Sequence, residues 1–140
     1  MDGPPDPYQL DRQVGFLLRR ATQRHLAIFA AAIPGLTPTQ FAALAQLTAM
    51  GPTSQNALGR ATAMDAATIK GVIDRLRRKG YVASEASEGD RRRVLVSVTP
   101  EGRAAFAAIL PAARSVTAET LAPLSDSDRQ AIVALLAQIG

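Results

Sequence analysis

The chain has 140 residues, which is enough for one domain with a substantial core but too few for two independent ones. It carries a net charge of +4, contains no cysteine and has one histidine, His25, which excludes disulfides, thiol chemistry and cysteine zinc sites. Nucleophile and phosphate-loop motifs are absent, so we expect no enzyme, no metal and no cofactor. We also expect a soluble, cytoplasmic protein, because neither a long apolar run nor a secretory leader occurs.

The first elements are predicted from composition and spacing. Residues 1–7 are rich in proline and aspartate, which predicts a disordered lead-in. Apolar residues between positions 8 and 33 recur at helical spacing, and Pro34-Gly35 ends that helix. Thr37, Pro38 and Gln40 then combine a capping hydroxyl, a proline at the first helical position and a reciprocal cap, so a second helix is predicted to about residue 50.

Two short helices follow, and the second is strongly basic. The third helix is predicted from Thr53 or Ser54 to about Thr62, and Asp65 caps the fourth. The fourth helix has a narrow apolar stripe formed by Ile69, Val72, Ile73 and Leu76. This arrangement is typical of a helix-turn-helix. Residues 60–93 contain nine basic and five acidic side chains, an excess that attracts polyanions but also describes any solvated basic surface.

After the fourth helix the spacing at which apolar residues recur changes from 3.6 residues, which is typical of a helix, to 2 residues, which is typical of a strand. Residues 81–86 and 93–99 read as two strands joined by a turn at 87–90. Thr99 and Ser125 then begin two further helices. The predicted fold is therefore mainly α with a small β-hairpin wing, a winged helix-turn-helix in the order α-α-α-α-β-β-α-α, and residues 8–140 form a single domain.

The outer face of the fourth helix is the predicted DNA-contact surface. Helical phasing places on it Ala67, Lys70, Gly71, Asp74, Arg75 and Arg78, with Thr68 at its edge and Ser54 added from the third helix. The cations can reach phosphates or guanine edges. Gly71 costs about 1 kcal/mol relative to alanine, which favours close approach to a DNA groove, or else to a neighbouring helix. We expect Asp74 to pair with Arg78.

Several segments resemble the MarR family of transcription regulators. They are Leu36-Thr-Pro-Thr-Gln-Phe41, residues 58–82, and Gly89-Asp-Arg-Arg-Arg93 leading into Val98-Thr-Pro-Glu-Gly102. The resemblance implies a homodimer that binds a pseudo-palindrome in double-stranded DNA, with residues 36–99 as the winged helix-turn-helix and residues 8–35 and 100–140 as interlocking dimerisation helices. In the wing it implies that Asp90 pairs internally while Arg92, or else Arg91, enters the minor groove.

A further set of segments is similar to a NicR-like branch of the family, whose repressors respond to a hydroxylated nicotinate. These are Gly15 to Ala21, Gln23-Arg-His25, Ser54-Gln-Asn and residues 62–71. A histidine, two arginines and two aromatic rings on the first helix favour a small aromatic or heteroaromatic carboxylate as the effector. Its candidate contacts are Phe16, Arg20, Arg24, His25 and Phe29, although Phe16 and Arg20 project from a different side of the helix.

Other interpretations of the same sequence stay open. His25 can equally be a satisfied interface histidine, and the wing arginines can simply be solvated. A winged-helix module that binds an acidic protein partner instead of DNA would carry the same basic surface. We expect the protein to repress transcription and to be released from DNA by its ligand. An activator would have the same sequence features.

Overall fold

The computed structural model describes residues 3, 7–87 and 89–140, and for Arg91 only the backbone. The prediction of a disordered lead-in at residues 1–7 lies outside this part of the chain except at Gly3 and Pro7. Glu88, in the predicted hairpin turn, also lies outside it.

Helices and strands follow one another in the predicted order, which confirms the mainly α winged-helix fold. A short 3-10 turn, Leu10–Arg12, precedes the first α-helix. The elements are α1 Val14–Ala32, α2 Pro38–Met50, α3 Gln55–Ala61, α4 Ala66–Arg78, β1 Val82–Ser87, β2 Asp90–Val98, α5 Pro100–Thr120 and α6 Asp126–Ile139. None of the helices in the described residues is long and apolar enough to cross a membrane.

Local capping explains where most helices begin. In α2, Thr37 Oγ1 accepts from the Gln40 backbone N–H at 3.2 Å, while Gln40 Oε1 accepts from the Thr37 N–H at 3.3 Å. This reciprocal pair is the predicted capping box, and it satisfies amides that the helix itself leaves without acceptors. Ser54, Asp65 and Ser125 accept backbone N–H groups in the same way at α3, α4 and α6.

Two predicted boundaries differ from the structure. The first helix begins at Val14 rather than near residue 8, because Gln13 is extended (φ −90°, ψ 134°) and interrupts the helical run after the 3-10 turn. The second strand begins at Asp90 rather than at Arg93. Ala86 pairs with Val94 and Ser87 with Asp90, so the three arginines at positions 91–93 are extra residues that interrupt the regular pairing of the strand.

The core lies mainly in the winged-helix part of the chain and also includes Phe29, Ile33 and Val116 from outside it. All four residues of the predicted α4 stripe are buried, and they pack with residues from α1, α2, α3 and both strands. Phe41 connects this core to the long helices, with ring centroids 6.1 Å from Phe29 and 5.8 Å from Phe106. The buried apolar stripe of α4 therefore fixes which of its faces points outward.

The helix-turn-helix and the hairpin are joined by a contact that sequence patterns did not indicate. Thr53 pairs with Val96 of β2 through two backbone hydrogen bonds, Thr53 N–H to Val96 O at 3.0 Å and Val96 N–H to Thr53 O at 2.8 Å. The segment before α3 therefore acts as a third short strand beside the wing. It holds the base of the wing against the helix-turn-helix.

Candidate nucleic-acid interface

The outer face of α4 is open to solvent as the phasing predicts. Ala67, Thr68, Lys70, Arg75 and Arg78 are exposed, and Gly71 and Asp74 are half-buried. The helix begins at Asp65, whose carboxylate accepts the Thr68 N–H at 2.7 Å. That hydrogen bond lowers the pKa of the Asp65 carboxyl below its ordinary value of 3.8. The face thus combines small residues near its first turns with arginines near its end.

Gly71 has open space above it. Within 4 Å of a methyl group built at this position there is one neighbour besides the helix backbone, Arg75 Nη1 at 3.4 Å. Among the described residues no other helix packs on Gly71, so the interpretation that the glycine admits a neighbouring helix of this chain is wrong. The glycine instead leaves room beside the Arg75 guanidinium on the exposed side of α4.

Asp74 pairs with different cations from the one we expected. Its carboxylate contacts Lys70 Nζ at 3.2 Å and Arg77 Nη1 at 3.0 Å, whereas the predicted pair with Arg78 does not form. Both observed partners lie within one helical turn of Asp74, and Arg77 also donates to Ser84 Oγ on β1. The hydrogen bond from Lys70, together with the charges of Lys70 and Arg77, lowers the pKa of the Asp74 carboxyl.

The wing carries exposed arginines beside a locally ordered turn. Gly89 has a φ of 85°, a conformation that residues with a side chain rarely adopt. Asp90 Oδ1 accepts the Arg92 backbone N–H at 2.9 Å, so this carboxylate makes an internal contact in the turn. The Arg92 and Arg93 side chains are exposed. Of the two arginines expected at the minor groove, the structure therefore describes the side chain of Arg92 but not that of Arg91.

Ser54 is placed differently from the other proposed DNA-contact residues. Its hydroxyl accepts the Ala57 N–H at 3.2 Å and caps α3, and the residue is half-buried. It lies next to Thr53, which pairs with the wing strand. A contact from the Ser54 hydroxyl to DNA would have to be made while that hydroxyl also accepts the Ala57 N–H.

The base of the wing is fixed to α5 by a tight approach at Gly102. Thr99 caps α5 by accepting the Gly102 N–H at 3.0 Å, and its own hydroxyl donates to Gly80 O at 2.6 Å. A side-chain carbon at Gly102 would overlap the Tyr81 carbonyl. This explains physically why glycine stands in the Thr99-Pro-Glu-Gly102 segment. The end of α4, the wing and α5 consequently meet at one point.

The five candidate effector residues fall into separate environments. The Arg20 guanidinium lies 5.8 Å from the centroid of the Phe16 ring. Arg24 donates to Glu119 O at 2.9 Å, and His25 Nδ1 lies 3.0 Å from Thr120 Oγ1, so both contact the end of α5. Phe29 is buried against Phe41. One chain therefore does not bring all five residues to a single cavity.

Two grooves border these residues. Arg20 and Arg24 line a shallow groove of about 360 Å³ together with Leu17 and Ala21. Phe29 lines a separate, mostly apolar groove of about 590 Å³ between the end of α1 and the start of α2. Lys79, the residue that directly follows α4, also borders this second groove and donates to Gly35 O at 3.0 Å. Among the described residues no cluster of acidic and histidine side chains could hold a metal ion.

Comparison with known proteins identifies the family. A profile described as the MarR family matches residues 35–93. The chain is 44% identical over 132 residues to the HTH-type transcriptional repressor NicR of Pseudomonas putida, covering 93% of this chain and 84% of the relative. The chain belongs to the MarR family. The resemblance to the NicR-like branch is confirmed by the same match.

Two solved structures of similar proteins agree with this chain over nearly its whole length. BpsR of Bordetella bronchiseptica, described with regulation of its DNA binding by 6-hydroxynicotinic acid, is 44% identical with a TM-score of 0.91, over 95% of this chain and 96% of that one. The transcriptional repressor CouR, bound to a 23-mer DNA duplex, is 26% identical with a TM-score of 0.87, over 93% and 94% of the two chains. The MarR fold described above therefore matches both an effector-regulated relative and a DNA-bound one.

Proposed function

We propose that this MarR-family chain is a homodimeric transcriptional repressor that binds a pseudo-palindromic operator in the cytoplasm and is released by a small aromatic or heteroaromatic carboxylate. The observation that carries the proposal is the exposed outer face of α4 standing beside an arginine-bearing hairpin. Small residues permit a helix to approach base edges, and cations beside them offset phosphate charge. Its role as a repressor is supported by the similarity to NicR.

Each surface has a distinct task in this proposal. In the major groove, Lys70, Arg75 and Arg78 contact phosphates or guanines, and Thr68 contacts a phosphate or a thymine methyl. Ala67 and Gly71 allow the close approach, and Ser54 adds a contact from the start of α3. In the minor groove, Arg92 or its neighbour Arg91 binds where the negative potential is concentrated.

Dimerisation is supported by apolar surface that one chain leaves uncovered. No residue of α6 is buried, although Val133, Leu135, Leu136 and Ile139 lie on it. A helix that is apolar on most sides is stable in water only when another surface covers it. We assign that surface to a second copy, with residues 8–35 and 100–140 forming the dimerisation region. Two recognition helices would then meet successive major grooves, about 34 Å apart.

The effector proposal rests on the α1 residues and on the similarity to NicR and BpsR. Arg20 and Arg24 offer cationic donors for a carboxylate, and Phe16 or Phe29 offers an aromatic surface. His25 is held at the end of α5 by Thr120, so a ligand that engages the imidazole would act on an α1–α5 contact. Ligand binding would favour a dimer geometry that does not fit DNA. The first compound to test is 6-hydroxynicotinic acid.

The wing provides the test of the DNA-binding proposal. Arg92→Ala should weaken operator binding and reduce by about one the slope of log affinity against log salt concentration, because one phosphate or groove contact is lost. Arg19→Ala on α1 removes an equally exposed arginine and serves as the control. Unchanged affinity for Arg92→Ala would remove the wing from the proposal. Binding that ignores half-site spacing would favour the protein-interaction alternative.

The effector role of His25 needs a separate measurement. His25→Ala should bind operator normally but require a higher concentration of 6-hydroxynicotinic acid for release. Tyr8→Ala, an exposed aromatic outside the candidate set, is the control. If His25→Ala is released as readily as the unmodified protein, His25 has no part in ligand recognition.

A further inference from the structure

A short series of polar contacts joins the outer face of α4 to the first strand of the wing. Asp74 Oδ1 accepts from Arg77 Nη1 at 3.0 Å, and Arg77 Nη2 donates to Ser84 Oγ. The two nitrogens belong to one planar guanidinium, so Asp74 and Ser84 are held at a fixed separation through a rigid group. We refer to these three side chains as the Asp74–Arg77–Ser84 strut.

Between the two ends of the strut the backbone turns sharply. Gly80 has a φ of 77°, and Tyr81 N–H donates to Leu76 O at 3.0 Å before β1 begins. The angle between α4 and the hairpin therefore depends on this turn and on the contacts that cross it, in addition to the bridge between Thr53 and Val96 at the base of the wing. The strut is a side-chain connection across the turn, and it lies on the exposed side of both elements.

We propose that Asp74 and Arg77 are positioning residues that fix the orientation of the wing relative to α4, and that they serve operator specificity rather than general affinity for DNA. The inference rests on the DNA-binding function proposed above. An operator must receive α4 and the wing in two grooves at once, so their relative orientation decides the fit. Non-specific DNA is held mainly by phosphate contacts and makes no such demand.

The charge of Asp74 supports this assignment. A carboxylate on a face that meets DNA repels phosphates, so by itself it lowers affinity for any sequence. It also pairs with Lys70, whose side chain is 68% exposed, and so offsets part of the positive charge that this lysine offers to a phosphate. Asp74 thus weakens general DNA binding in two ways. Its presence on this face is explained if it improves the discrimination between operator and other sequences.

We therefore expect changes in the strut to have opposite effects on the affinity for non-specific duplex and on the affinity for the operator. In Asp74→Asn, non-specific duplex should bind more tightly because a negative charge is removed and Lys70 is released. The operator should bind more weakly because Arg77 loses its charged partner. We expect the ratio of operator to non-specific affinity to fall about tenfold.

Variants of the neighbouring strand separate geometry from charge. Ser84→Ala removes the acceptor for Arg77 without changing the net charge, so it should lower operator affinity while leaving non-specific affinity unchanged. Ser84→Thr keeps the hydroxyl and should restore binding. Glu85→Gln, one residue further along β1 and exposed, removes one negative charge outside the strut. It should raise both affinities by the same factor.

The measurement is the Kd of each full-length variant for two labelled duplexes of equal length. One duplex carries the sequence selected by the unmodified protein from random DNA, and the other is a scrambled version. A lowered affinity ratio in Asp74→Asn and Ser84→Ala, with recovery in Ser84→Thr, supports the strut. If Asp74→Asn raises both affinities equally, as Glu85→Gln does, the strut is rejected and the DNA-binding function stands. If the unmodified protein selects no sequence, both proposals fail.

Discussion

Gly71 occupies the middle of α4 with Arg75 Nη1 as its near neighbour and open space on the outer side. Replacing it with alanine should raise the free energy of unfolding by about 1 kcal/mol, because glycine is a poor helix former. The added methyl would project from the face proposed to enter the major groove, so operator affinity should fall by about tenfold.

Two titrations measure these opposite effects of Gly71→Ala. Chemical denaturation gives the change in unfolding free energy, and operator binding gives the change in affinity. A more stable variant with undiminished operator affinity would show that α4 does not approach DNA closely at this point.

Asp65 gives a prediction of pH dependence at the start of the same helix. Its pKa is lowered by the hydrogen bond from the Thr68 N–H, so the ionised cap stabilises the folded state. A lowered folded-state pKa means that this stabilisation is present above the ordinary value of 3.8 and is lost as pH falls through the folded value. Asp65→Ala should therefore melt at a lower temperature than the unmodified protein at neutral pH.

The melting difference for Asp65→Ala should narrow as the pH falls below 3.8, since the unmodified cap becomes protonated there. Thermal melting followed by circular dichroism across that range measures it. Asp128→Ala, which removes a first-turn carboxylate of α6 rather than a cap, is the control. A difference that does not depend on pH would show that the charge of Asp65 is unimportant to α4.

Local sequence was sufficient to predict the limits of a helix where the capping residue and the apolar stripe indicate the same boundaries. The limits of α4 follow from Asp65, the four buried stripe residues and the basic end before Gly80. The predicted partner of Asp74 was wrong because helical spacing offers this carboxylate three cations, Lys70, Arg77 and Arg78, and does not choose among them. The bridge between Thr53 and Val96 was missed for a different reason, since it joins segments far apart in sequence.

The junction between the wing and α5 depends on the absence of a side chain at Gly102. A methyl group there would overlap the Tyr81 carbonyl, which belongs to the backbone and cannot rotate away. Gly102→Ala should therefore lower the free energy of unfolding by about 1–3 kcal/mol despite the better helix propensity of alanine.

Gly71→Ala is the matched control for Gly102→Ala, because the same replacement in open space should stabilise the fold. Denaturant titration of the two variants compares them directly. Equal stabilisation of both would contradict the tight junction at the base of the wing.

For the whole molecule, we expect a second copy to cover the exposed apolar surface of α6. The single chain has a mass of 14.7 kDa. Sedimentation of the unmodified protein should therefore give a molecular mass of about twice that value. Leu136→Glu places a charge in this surface and should yield the monomer with much weaker operator binding.

Gln138→Glu adds the same charge at an exposed polar position of α6 and should leave the dimer intact. Sedimentation velocity distinguishes the two variants. If the unmodified protein is monomeric, or if the Leu136→Glu variant is still a dimer, the apolar surface of α6 is not the dimer interface.

The surroundings of the candidate effector residues could be predicted only in part, because they include the end of α5 as well as α1. Helical spacing on α1 already separated Phe16 and Arg20 from His25 and Phe29, and the structure keeps them apart. It also adds Thr120 and the Glu119 carbonyl as neighbours of His25 and Arg24. No spacing rule connects α1 to residues about a hundred positions later, so these contacts required the folded chain.

Selection of bound duplexes from random DNA by the purified, full-length protein tests the central claim most directly. A homodimer with two recognition helices predicts enrichment of an inverted repeat whose half-sites are centred about 10 base pairs apart. Enrichment should weaken when that spacing is changed by half a helical turn. Recovery of unrelated sequences without an inverted repeat would contradict the account, because the outer face of α4 and the wing would then not read an operator.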